Sequence, residues 1–138
     1  HVNAQANGLA ERVASVEGDA FDVLGQLRVN QEKFDVVVLD PPAFIKRKKD
    51  TKAGEQAYHR LNQLAMQVLK KDGILVSASC SHHLAESRLQ NILLQSSRHL
   101  DRSLQILERG HQAPDHPLHP AIAESAYLKA LFCRVLPS

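Results

Sequence analysis

The sequence predicts an α/β fold built on a mainly parallel sheet, and three observations carry that expectation. The run FDVVVLD at 34–40 is apolar at consecutive, mostly β-branched positions, as in a strand covered on both faces. QAYHRLNQLAMQVLKKDG (56–73) and SHHLAESRLQNILLQSSRHL (81–100) each carry an apolar stripe at helical spacing. ILVSASC (74–80) separates them, so strand and helix alternate, which implies right-handed crossovers and parallel neighbours.

The elements follow in order. Val2 to Gln5 with Leu9 and Ala10 read as the last turns of a helix, closed by the Asn7-Gly8 breaker. RVASVEGDA (12–20) reads as a short strand ending in a turn at Gly18-Asp19, and FDVLGQLRVNQEK (21–33) as a helix bearing Phe21, Val23, Leu24 and Leu27. FDVVVLD suits a central strand. The segment from Ile45 to Glu55 is polar and basic and is expected to be a mobile surface loop. The helix from Gln56 presents Ala57, Leu61, Leu64, Ala65, Val68 and Leu69; Lys70 and Lys71 suit its negative end, and Gly73 caps it. The helix from Ser81 carries Leu84, Leu89, Ile92, Leu93 and Leu100, and LQILERG and ALFCRVL close the chain as an edge pair around the loop HQAPDHPLHP.

Composition narrows the class. A chain of 138 residues, 43% hydrophobic and 23% charged, is one domain of ordinary globular character. No apolar run reaches the roughly 18 to 20 residues that span a membrane. Cys80 and Cys133 stand in separate strand contexts and build no disulfide framework, so a reducing, cytoplasmic setting is expected. A net charge of +2 says little about nucleic acid, whereas the cluster Lys46-Arg47-Lys48-Lys49 says more.

In open α/β sheets the chemistry lies beyond the carboxyl ends of the strands. Gly18-Asp19, Asp40-Pro41-Pro42 and Ser79-Cys80-Ser81 should therefore line one rim. The two prolines stiffen their turn, so Asp40 and the neighbouring carbonyls can accept from an amine of a planar substrate while Phe44 stacks on its face. Equally, Pro-Pro can simply end a strand. A thiol at a strand end before a helix is placed for activation by the helix N-terminus, although most free cysteines are small core residues; Cys133, mid-strand, takes that second reading. Asp19 also suits a helix N-cap. His111, His116 and His119 with Asp115 match no familiar zinc spacing, so no metal is expected.

FDVVVLDPP after a GDAFDVL-type turn resembles the class I S-adenosylmethionine-dependent methyltransferases. LDPPAFIKRKKD, SASCSHH and DHPLHPAIAESAYLKALF together resemble the ribosomal RNA large-subunit methyltransferase I family, which makes 5-methylcytosine in the large-subunit RNA. The resemblance implies a Rossmann-like sheet and makes Cys80 the nucleophile that adds to carbon 6 of cytosine. It places Asp40 at the pyrimidine edge and the cofactor, and Asp19, Ala20 and Phe21 around the adenine of S-adenosylmethionine. Pro41, Pro42, Phe44, Lys46 and Arg47 then meet the RNA. The loop 111–120 falls near the substrate. Other RNA 5-methylcytosine enzymes carry a second cysteine after the Asp-Pro turn; Ala43-Phe44 occupies that place here, which leaves the base for the carbon 5 proton unassigned.

No GxGxxG-like segment occurs in the chain. Residues 1–138 are therefore expected to be a partial catalytic domain, truncated at its N-terminus, with the first strands and the glycine-rich loop absent and little cofactor affinity alone. Without those strands FDVVVLD gains an open edge. That edge is expected to be covered by another copy of the chain, as a homodimer or strand-edge association, or the N-terminal segment to be displaced. Two further readings stand: an amino-group methyltransferase acting on a nucleobase, and a non-catalytic RNA-binding or interaction module. Fold alone also admits a nicotinamide-dependent oxidoreductase, which no residue favours.

Overall fold

A computed structural model describes residues 1–137. Its helices are α1 (Val2–Ala6), α2 (Ala20–Val29), α3 (Thr51–Gln67) and α4 (Glu86–His99). Its strands are β1 (Phe34–Leu39), β2 (Leu69–Ser79), β3 (Arg102–His111) and β4 (Lys129–Pro137). They form one sheet in the order β1-β2-β4-β3. β1 and β2 run parallel, with Val36 opposite Ile74 and Leu39 opposite Ser77. β4 lies antiparallel between β2 and β3. The alternation thus yields one parallel pair, and the expected closing pair inserts its last strand beside β2.

The core lies on one face of this sheet. Leu39, Leu75, Leu131, Cys133 and Val135 meet Tyr58, Leu61 and Ala65 of α3 and Leu89, Ile92 and Leu93 of α4. Of the apolar set expected of the second long helix, Leu84, Leu89, Ile92 and Leu93 are fully buried and Leu100 is partly buried against the core; Leu84 and Leu100 flank the helix itself. Cys133 is fully buried, as its mid-strand position suggested. α2 packs beside α3, with Phe21 and Leu24 touching the core.

Several expectations are corrected. Residues 13–17 belong to no strand; Val13 and Val16 are exposed. An apolar pattern alone cannot hold a strand, because its backbone groups need a partner ladder. For the same reason β1 is an edge strand and not a central one. Among the described residues only β2 pairs with it, and Val36 and Val38 are 54% and 64% exposed on the face that no described helix covers.

The first long helix ends at Gln67, well before Gly73, so Lys70 and Lys71 lie in β2. Burial decides this. Val68 and Leu69 are sealed in the core, the Phe34 N–H donates to the Val68 carbonyl at 2.8 Å, and Leu69 aligns with Phe34. The register then shifts before Val36, with Asp72 at φ 61°. Gly73 passes so close to the preceding turn that a Cβ there would stand 2.9 Å from the Lys70 carbonyl oxygen.

The same helix begins at Thr51, so the segment 45–55 is a surface loop only in part. Ile45 is buried, Lys48–Asp50 form a 3-10 turn, and Thr51 onward is helical. Gly54 lies buried in that first stretch because the Phe44-Ile45 backbone crosses it: an added Cβ would collide with Ile45 and reach 3.0 Å from the Phe44 carbonyl oxygen. Finally, the second long helix starts at Glu86, not Ser81; residues 80–85 form a turn.

Candidate active site

The parallel pairing of β1 and β2 places Asp40 and Cys80 just past adjacent carboxyl ends. Cys80 Sγ lies 3.9 Å from the Pro41 carbonyl oxygen and can donate to it. Cys80 is half-buried, Asp40 and Pro42 are exposed, and Pro41 is half-buried. The thiol, the carboxylate and the stiff turn therefore share one accessible rim.

Beneath the rim is a buried hydroxyl network. Tyr58 Oη lies 2.7 Å from Ser79 Oγ and 2.8 Å from Ser81 Oγ. The Ile45 N–H donates to Ser81 Oγ at 3.2 Å, and the Ser81 N–H donates to Ser79 Oγ at 3.1 Å. One level down, Ser77 Oγ donates to Asn62 Oδ1 at 2.7 Å, and Asn62 Nδ2 donates to the Tyr58 carbonyl at 2.8 Å. The network ties the Pro-Pro turn, the Cys80 turn and α3 into one unit, with no buried side-chain polar atom left unpaired among the described residues. Sequence reasoning missed Tyr58. Its signal was Ser77, Ser79 and Ser81 at strand spacing, opposite a phenol on the apolar stripe of a helix.

Phe44 is half-buried in an aromatic row. Its ring meets Tyr58 edge-on at 4.9 Å and is tilted to Phe21 at 6.1 Å. Arg60 stands 4.9 Å over the Phe21 ring. These contacts hold Phe44 and Phe21 to α3.

Asp19 caps α2: its Oδ1 accepts from the N–H groups of Phe21 and Asp22 at 2.9 and 3.2 Å. The capping reading is realised, and Oδ2 is left for another donor. Gly18 and Ala20 line a cleft of about 290 Å³ with Val16, Val37 and Leu39 at the carboxyl end of β1. Phe21 is not among its lining residues; its ring belongs to the aromatic row. Two larger clefts are one of about 520 Å³ at the amino ends of the strands around Lys33, Lys71 and Arg102, remote from the rim, and one of about 500 Å³ beside the turn after Cys80, lined by His82, Glu86, His111 and Lys129.

Lys46 and Arg47 are exposed, and Arg47 Nε is committed to Asp50 at 2.9 Å. His116 lies 3.2 Å from Asp115. No cluster of three or more His, Cys, Asp or Glu side chains is placed to hold a metal ion among the described residues. Among them, too, no helix is long and apolar enough to cross a membrane.

The helix expected to follow Cys80 directly begins only at Glu86, with the turn 81–85 between them. The nearby positive group is Lys129, which sequence reasoning did not single out. Burial pulls the Lys129 ammonium below the usual lysine range, opposed by the charges of a Cys80 thiolate and of Glu86.

An open α/β sheet with a stiff Asp-Pro-Pro turn and a thiol on its carboxyl-end rim defines a methyltransferase-type domain. A family model described as UPF0020, RMKL-like, methyltransferase domain, matches residues 1–102, and the chain belongs to that family. It is 39% identical over 135 residues to the ribosomal RNA large subunit methyltransferase I of Photobacterium profundum, covering 97% of this chain and 34% of that protein. The chain thus spans about a third of the length of the curated relatives it matches. Two crystal structures share the fold. A methyltransferase complexed with SAH superposes with a TM-score of 0.77 at 20% identity, over 96% of this chain and 34% of its own. A methyltransferase homologue from Pyrococcus horikoshii gives 0.66 at 22%, over 96% and 48%.

Proposed function

We propose that this chain is part of an S-adenosylmethionine-dependent catalytic domain that methylates carbon 5 of a cytosine in ribosomal RNA through a covalent Cys80 adduct. One observation carries the reading: a half-exposed thiol on the parallel strand next to the Asp40-Pro41-Pro42 turn, its sulfur 3.9 Å from the Pro41 carbonyl oxygen. A thiol in that place faces whatever the turn holds.

The Cys80 thiolate adds to carbon 6 of the pyrimidine, and the displaced electron pair makes carbon 5 nucleophilic. S-adenosylmethionine, when bound, supplies the electrophilic methyl group that carbon 5 receives. Loss of the carbon 5 proton then returns the C–S bonding pair to Sγ and frees the product. Asp40 orients the pyrimidine edge and holds the water that takes this proton, since Ala43 provides no second thiol. The adenine takes the apolar cleft lined by Gly18, Ala20 and Val37, and its amine reaches the Oδ2 of the intervening Asp19, whose Oδ1 is spent on the helix cap. Pro41 and Pro42 wall the base site, and Lys46 contacts phosphate with Arg47.

The unpaired edge of β1, with its exposed valines, is completed by a further strand, supplied by another copy of the chain or by the rest of the protein. A cytoplasmic setting suits the two free thiols. The test is methylation of large-subunit RNA by the whole protein carrying Cys80→Ala. Loss of turnover, with tritium release from carbon 5 abolished, is expected. An unchanged rate would reject the covalent route and point to amino-group methylation.

A further inference from the structure

Lys129 opens β4 directly across from Ser79. Its side chain is only 9% exposed and runs under the turn that follows β2. There Nζ donates to the carbonyl oxygens of Ser81 and Leu84, both at 2.6 Å. Those two carbonyls bracket the turn leaving Cys80. A lysine ammonium has three donors, and two are spent on these carbonyls, of which that of Ser81 also accepts from the Leu84 N–H at 3.1 Å. Buried lysines are rare without an anionic partner, yet none of the salt bridges among the described residues involves Lys129. Glu86 is engaged by Arg109 at 2.6 Å.

We propose that Lys129 is the positioning residue of Cys80: its ammonium clamps the Ser81 and Leu84 carbonyls, so that the thiol faces the Pro41 carbonyl with a fixed positive charge nearby. The role follows from topology. β4 is antiparallel to β2, so the residue that begins β4 arrives where β2 ends, and a long side chain there reaches the turn after Cys80. Burial works against the ammonium, while a Cys80 thiolate and Glu86 sustain it. The other titratable groups on the same cleft are His82 from the turn and His111 from β3.

The importance of Lys129 for turnover rests on Cys80 being the nucleophile, but the positioning itself is measured without substrate. The rate of iodoacetamide alkylation of Cys80 is followed by mass spectrometry in the whole protein from about pH 6 to about pH 10. Lys129→Met is expected to slow Cys80 alkylation near neutral pH by roughly threefold to tenfold, and Lys129→Arg to restore most of it. Continued protection of Cys133 reports an intact core. A Lys129→Met profile superimposable on the wild type, with Cys133 still protected, overturns the proposal.

If Lys129→Met exposes Cys133, the near-isosteric Cys80→Ser decides. The Lys129 ammonium, followed by carbon NMR, should titrate at lower pH in Cys80→Ser than in the wild type, because coupling between two sites is reciprocal. Identical titrations overturn the proposal. A methylating Cys80→Ala protein, by contrast, would reject the covalent reading while leaving the alkylation results standing.

Discussion

Tyr58 Oη lies between Ser79 Oγ at 2.7 Å and Ser81 Oγ at 2.8 Å, fully sealed from solvent. One phenol thus fastens both sides of Cys80 to α3, and through Ser81 it also reaches the Ile45 N–H and the Pro-Pro turn. The geometry of the rim is set by this buried contact.

Tyr58→Phe keeps the ring and removes the shared hydroxyl. Two buried serines lose a partner, a change that costs about 1–3 kcal/mol. Chemical denaturation should show that loss. A midpoint unchanged in urea would deny the network its role.

Gly54→Ala places a methyl group against Ile45 and the Phe44 carbonyl. Helix propensity favours alanine by up to about 1 kcal/mol, but the crossing backbone cannot yield without moving the turn, and overpacking of this kind costs about 1–3 kcal/mol. A net loss of stability is expected, together with weakened methylation. Stabilisation would show that the crossing is loose.

The two thiols should separate chemically. Burial pushes the Cys133 thiol up to about 11, so it stays inert near neutral pH while the half-exposed Cys80 reacts. The sign for stability follows: the unfolded thiol ionises first, near 9.0, so stability falls as pH rises from there toward about 11. Alkaline unfolding curves of wild type and Cys133→Val should differ in that window and agree below it.

On the acid side, hydrogen bonding to Arg88 holds the Glu55 carboxyl below its ordinary range, with bonds of 2.7 Å to both oxygens. Its stabilisation is present above the ordinary carboxylate value of 4.5 and disappears as pH falls through the lower folded-state value. Glu55→Gln should flatten the acid limb of the stability profile and lower its neutral plateau by the same small amount, because the stabilisation lost on acidification is the one the ionised pair supplies at neutral pH. An acid limb identical to the wild type would remove the pair from the account.

For RNA, Lys46→Ala should weaken binding and reduce the salt slope by about 0.7. Arg47→Ala should do less, because Asp50 already neutralises that guanidinium. Filter binding at several salt concentrations distinguishes them; equal slopes in all three proteins would place phosphate elsewhere.

Periodicity and residue type alone located α2, β1, α4's apolar set, β3, β4 and the core place of Cys133, because each depends on local spacing that burial then honours. The rim was legible in two of its three expected strand ends: Asp40-Pro41 and Cys80 follow parallel neighbours and converge, whereas Gly18-Asp19 ends no strand. What lay outside the sequence pattern was where helices stop and what strands pair with. Leu69 to Gly73 reads as helix until Phe34 recruits Leu69 into a ladder, and 13–17 reads as a strand although no ladder receives it. The same holds for the support of the site. Tyr58 and Lys129 reach Cys80 from 22 and 49 positions away along the chain, and only the packing of α3 on the sheet and the antiparallel return of β4 bring a phenol and an ammonium to one thiol.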